Sequence, residues 1–169
     1  MTKKVPVVAI VAVAGVILQA ADFNKALADT EGRRRAAENG LRAIKTKSPA
    51  LGDQVRIAYT KAATEQNAWL EMVCQGAEQS SSSEANMTVA AEAAATSLVA
   101  WVAARNRALG ETELAGASAD TAKTWVHGNL TEIAAEVWRR NRTASQQQRE
   151  RASADLKKRL LWKSWEQIP

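Results

Sequence analysis

The chain has a single cysteine and a single histidine in 169 residues. One cysteine excludes an internal disulfide framework, and one histidine beside it leaves too few soft ligands for a structural zinc site. Three prolines and eight glycines give little turn punctuation. β-Branched residues are scattered beyond the first twenty positions, which argues against a sandwich or barrel. Neither a glycine-rich phosphate loop nor a dinucleotide fingerprint occurs. Aromatic residues are only 5% of the chain, and six of them are tryptophan. Hydrophobic residues make up 46%, with alanine abundant. The expectation is an all-α protein, one domain or one domain plus an anchor.

The net charge is +5, but it is unevenly placed. Nine basic residues between Arg139 and Pro169 face Glu150, Asp155 and Glu166, roughly +6 by counting. The rest of the chain is near neutral. A nucleic-acid-binding domain would carry a basic stripe across its fold, so nucleic acid is not the expected partner. The tail could serve an anionic surface.

Lys3 and Lys4 precede an uncharged run from Val5 to Leu18, followed by Gln19-Ala20-Ala21 and the first acid, Asp22. This has the form of an export signal. As a helix the run is a little short for a bilayer core of about 30 Å, and Pro6 and Gly15 weaken it. Leu18 and Gln19 nevertheless stand where a cleavage site wants small residues. Residues 1–21 are therefore expected to be a signal peptide or a signal anchor. Either delivers the rest of the chain across the membrane, with Lys3 and Lys4 left inside. The expected location is periplasmic, or anchored in the inner membrane and facing the periplasm.

Residues 22–138 are expected to form a bundle of about four helices. The first runs from Asp22 to about Lys45, weakened by Gly32 and Gly40. Ser48-Pro49 is a cap and first-position pair, with Asp53 a second candidate cap, for a helix reaching about Gln79. Ser80 to Ser83 reads as a linker, with Ser83 capping a helix from Glu84 to Leu109 that ends at Gly110. A fourth helix follows to about Arg140, with Gly128-Asn129 as a candidate kink. Residues 139–169 form a basic tail. Within it, Ala152 to Gln167 reads as a short amphipathic helix.

Cys74 and His127 are the only Cys/His pair, and both fall in helical patterns without a nucleophile elbow. Cys74 follows Val73 on an apolar stripe and reads as a small buried residue. Glu65, Glu71, Glu78 and Glu84 read as a solvated face. No catalytic residue, metal site or cofactor is expected. Asn86, Asn129 and Asn141 each begin an Asn-x-Ser/Thr triplet, significant only for an exported eukaryotic protein. Trp69, Trp101 and Trp138 sit on apolar stripes and are expected in the core. Trp162 and Trp165 lie among Lys157, Lys158, Arg159 and Lys163. They either dock the last helix or form, with these cations, a membrane or partner contact.

From about Ala50 to Leu109 the chain resembles the LprI-type family of bacterial lysozyme inhibitors, small exported helical domains. Gln66-Asn67-Ala68-Trp69 matches the family's Gln-x-Ala-Trp element, and Leu98, Arg105 and Leu109 match its last helix without a gap. The family's cysteine pair would fall on Ala77 and Ser97, so it is absent. Gln66, Ala68, Trp69, Leu98, Arg105 and Leu109 would then mainly hold the family fold. The resemblance implies a lysozyme as partner, although lysozymes are basic and an inhibitor should present acid to them.

Two functions are therefore expected of the chain. One is an exported, non-enzymatic envelope protein acting by protein-protein contact. The other is a membrane-anchored structural protein, of the general kind that phage spanins represent, whose basic C-terminal helix touches a membrane or anionic polymer.

Overall fold

The computed structural model describes the backbone of residues 7–79 and 83–169, and side chains from Asp22 onward within those ranges. The side chains of the expected export or anchor segment, 1–21, thus lie outside the described residues. The described residues form five helices, α1 (Val7–Lys47), α2 (Pro49–Gln79), α3 (Glu84–Ala108), α4 (Gly116–Asn141) and α5 (Gln146–Leu160), followed by a 3-10 turn at Trp165–Gln167. Among the described residues there is no strand.

Local chemistry explains most boundaries. Pro49 opens α2, where its missing N–H costs nothing. Ser83 caps α3 by accepting from the Asn86 N–H at 3.3 Å. Gly110 follows with φ +70°, a left-handed position that glycine takes without strain. The candidate kink at Gly128 is absent, because α4 continues through it. Asp53 lies inside α2 rather than at a cap.

α1 runs unbroken through Gly32 and Gly40. Each glycine costs about 1 kcal/mol of helix propensity. Against that, Phe23, Ala26, Leu27, Ala37, Leu41 and Ile44 line one buried face, and tertiary packing decides most helices. At Gly40 the absence of a side chain also matters. A Cβ there would come within 2.5 Å of Arg105 Nε.

α2 is central, touching each of the other four helices and the 3-10 turn. Its most extensive partner is α3, which packs in turn on α4. α3 is long and apolar enough to cross a membrane by composition, yet its Met87, Leu98 and Trp101 are buried in the core while Val89 is exposed. Trp69, Trp101 and Trp138 all lie in that core. The indole of Trp138 donates to the Val73 carbonyl at 2.9 Å, tying α4 to α2.

The C-terminal helix begins earlier and ends earlier than the pattern predicts. Ser145 and Gln148 form a reciprocal capping box, which starts α5 six residues before Ala152. It stops at Leu160, and Leu161 is extended. Residues 161–169 then lie along the α1–α2 surface as a strap.

Candidate functional site

The residues carried by the family resemblance are distributed through the α2–α3 pair and its edge. Gln66 is buried and donates from Nε2 to the Ala94 carbonyl at 3.2 Å, bridging the two helices. Trp69 is 1% exposed, with its indole N–H lacking a partner. Leu98 is buried and Leu109 packs against the core, whereas Ala68 is exposed. Arg105 lays its stem over Gly40 and reaches Asn106 at 2.7 Å and Glu111 at 3.3 Å. Ala77 and Ser97 are both buried. The Gln66–Ala94 bond and the Tyr59–Trp101 ring contact fix an antiparallel register. By that register Ala77 and Ser97 stand roughly 20 Å apart along the pair.

Three of the basic tail residues named above pair with carboxylates of the bundle, and carbonyls of the tail accept from bundle side chains. Lys157 pairs with Glu71 at 3.3 Å, Arg159 with Glu31 at 3.2 Å, and Lys163 with Glu38 at 3.9 Å. Glu38 also accepts from Arg34 at 2.6 Å, and Arg34 donates to the Arg159 carbonyl at 2.7 Å. Lys158 is exposed on α5. Trp162 is only 5% exposed. Asn67 donates to its carbonyl at 3.1 Å and accepts from its N–H at 2.9 Å. Tyr59 packs against Trp162 and Trp165 and donates to the Lys163 carbonyl at 2.8 Å. Lys45 donates to the carbonyls of Trp165 and Ile168 at 2.5 and 2.6 Å, while lying over the Trp165 ring at 4.2 Å. Of the two roles open to the tryptophans, docking is the one the geometry provides. The helix that would have carried them as an amphipathic face ends at Leu160.

Cys74 is buried in the α2–α5 contact, where Ser153 donates to the Cys74 carbonyl at 3.3 Å and the thiol lies 3.8 Å from the Ser153 carbonyl. Burial raises its thiol above the ordinary range, so the reactive thiolate is disfavoured. His127 sits half-buried on α4, in the field of Glu92 on α3. Labelling of Cys74 by a thiol reagent is expected to be at least about a thousandfold slower than in the unfolded chain. Rapid labelling under native conditions would show that α5 opens locally.

The strongest charge cluster is elsewhere. Glu136, buried on α4, accepts from Arg139 at 2.5 and 3.0 Å and from Arg140 at 2.9 Å. The Arg139 hydrogen bonds, helped by Arg140, outweigh burial and hold its carboxyl down to about 2, from an ordinary 4.5. A depressed carboxyl stabilises the fold above its unfolded value, and that contribution is lost as the pH falls towards 2. Both arginines are about half exposed, which limits the effect to about 1 kcal/mol. Urea midpoints of the wild type and Glu136→Gln should therefore differ at about pH 6 and converge near pH 2.

Sequence patterning did not single out Trp125. It is 54% exposed in the middle of α4, with the Lys25 ammonium 4.8 Å from its ring. Shallow grooves flank it, one lined by Arg33 and Val126 and another by Asp120 and Thr124. An exposed tryptophan on a surface helix breaks the apolar stripe by one position, a signal available from spacing alone.

Of the three Asn-x-Ser/Thr acceptors, Asn86 is exposed near the start of α3. The Asn129 side-chain oxygen, turned to accept, meets both terminal nitrogens of Arg33 at 2.6 and 3.2 Å. Asn141 is buried and bonded to the Val137 carbonyl at 2.7 Å, closed to a glycan in the folded state. Among the described residues no group of His, Cys, Asp and Glu could hold a metal ion. No family model, curated protein or solved structure matches the chain.

Proposed function

We propose that this protein is an envelope protein held at a membrane by the apolar start of α1, whose helical bundle works by binding rather than by catalysis. The observation that carries this reading is the junction between the apolar run and the bundle. α1 is one helix from Val7 to Lys47, and its first described core residue, Phe23, stands only five positions after Leu18. An uncharged run that feeds directly into a packed domain serves as an anchor without an intervening linker. Trp125 is the exposed aromatic best suited to a protein contact, since tryptophan dominates interface hot spots. Burial of Cys74 and its raised thiol further favour binding over nucleophilic chemistry.

The test is fractionation of the full chain together with mass analysis of its N-terminus. An intact N-terminus in a carbonate-resistant membrane fraction is expected. A soluble product beginning after Ala20 or Ala21 would replace the anchor with a cleaved signal. The lysozyme-inhibitor form of the binding role draws support from Gln66, which bridges α2 to α3, and is opposed by the separation of Ala77 from Ser97. Absence of inhibition of lysozyme at micromolar concentrations would remove that form while leaving the anchored bundle.

A further inference from the structure

A cleft of about 530 Å³ opens where α1, the end of α4 and the length of α5 meet, within the size range of small-ligand sites. Phe23, Leu27, Val137 and Leu156 give it apolar walls, and Arg140 and Arg159 stand among them. The Arg140 guanidinium lies 4.3 Å from the centre of the Phe23 ring. The site therefore combines cations with an apolar floor, as an amphiphile with an anionic head requires.

The charges around it are mixed, and Glu132 and Asp22 stand near Glu136. Glu136 is shared by Arg139 and Arg140, so that group keeps one positive charge, and exposed Arg142 in the following turn adds another. Arg159 is matched by Glu31. Asp155, one turn before Arg159, is the carboxylate lining the cleft. Arg159 is the one lining residue shared with the cations that the sequence pattern points to for a membrane contact.

Position supplies the occupant. At about 1.5 Å per residue, Phe23 lies roughly 7.5 Å beyond Leu18 along α1. The polar layer on each side of a bilayer core is about 5–8 Å deep. With Leu18 at the hydrocarbon boundary, Phe23 and the Arg140 guanidinium over it fall within the headgroup layer. We propose that the membrane-facing end of this cleft seats the headgroup of an anionic phospholipid of the anchoring membrane, its phosphate against Arg140 and its glycerol end beside Phe23. This rests on the anchored reading of the N-terminal segment.

Native mass spectrometry of the full chain released from detergent micelles tests it, with phosphatidylglycerol or phosphatidylcholine of identical acyl chains added. One phosphatidylglycerol per chain is expected to be retained, and phosphatidylcholine not. Retention should fall at least tenfold in Arg140→Gln. It should fall equally in Ala152→Leu, which fills the cleft without changing charge. Either variant is read when its far-ultraviolet circular dichroism matches the wild type, and if neither matches, the wild-type comparison decides alone. Equal retention of both lipids overturns the proposal, as does undiminished phosphatidylglycerol in a folded variant. Full displacement by glycerol phosphate would instead mark a site for free anions and also overturn it. Lipid retention by a chain beginning after Ala21 would remove the anchor and leave the cleft. Anchoring without lipid selectivity would do the reverse.

Discussion

Trp101→Ala is expected to destabilise the protein by about 3–5 kcal/mol, the usual range for deleting a large buried aromatic. For a domain of this size that lowers the melting midpoint by on the order of 10 °C. The size of the effect follows from what the ring touches. Trp101 is 1% exposed on α3 and meets Tyr59 of α2 edge to face, with centroids 5.2 Å apart. Tyr59 in turn holds Trp162 and Trp165 of the strap. The indole thus supports an aromatic chain running from α3 through α2 to the C-terminal residues. Removing it leaves a void that main-chain packing cannot close, because helices relax only partly around a lost side chain. Thermal melts followed by circular dichroism measure the loss. Trp69→Phe is the contrasting control, since it trims a ring whose indole N–H already lacks a partner and should cost much less. Equal losses for the two variants would refute the assignment of Tyr59 and Trp101 as the link to the strap.

Asn67→Ala is expected to release the strap while leaving the bundle folded. Asn67 satisfies both backbone groups of Trp162, donating to one and accepting from the other. Without it each group is left partly buried and unpaired, at about 1–3 kcal/mol apiece. That sum has a ceiling. Once it exceeds the free energy holding residues 161–169 to α1 and α2, the segment detaches and the groups return to water. Hydrogen exchange should show loss of protection from Trp162 to Ile168 with α2 and α3 amides still protected. Trypsin should cut after exposed Lys163 at least tenfold faster than in the wild type. A lower melting point with unchanged strap protection would mean that Asn67 acts on the bundle itself.

The all-helical bundle was legible because its signals are local. Ser83 and Gly110 mark the ends of α3 by capping chemistry, and Trp69, Trp101 and Trp138 fall on stripes that become the core. The Ser145–Gln148 capping box was equally local and would have placed the start of α5 correctly. Other features depend on partners far away in the chain. Leu161 leaves the helix because an extended backbone presents Trp162 to Asn67, a tertiary demand that overrides helical periodicity. Lys157, Arg159 and Lys163 look like a free basic face in one dimension, and only the fold brings Glu71, Glu31 and Glu38 to them. The cleft at Phe23 was similarly hidden, since α1 supplies one wall and α4 and α5, more than a hundred residues later, supply the others.

The strap has a consequence for how the chain acquires its structure. Arg34 reaches the Arg159 carbonyl across 125 residues, and Lys45 reaches Trp165 and Ile168 across 120 and 123. Contacts of such long range close late, because the loop entropy must be spent before they return anything. On a ribosome the partners of Arg34 and Lys45 emerge more than a hundred residues after them, so α1 waits through that interval for these contacts. Until then Glu31, Arg34, Glu38 and Lys45 lack their distant partners, and the chain is open to chaperones, translocation machinery and proteases alike. Latching of residues 161–169 is the step that closes this interval.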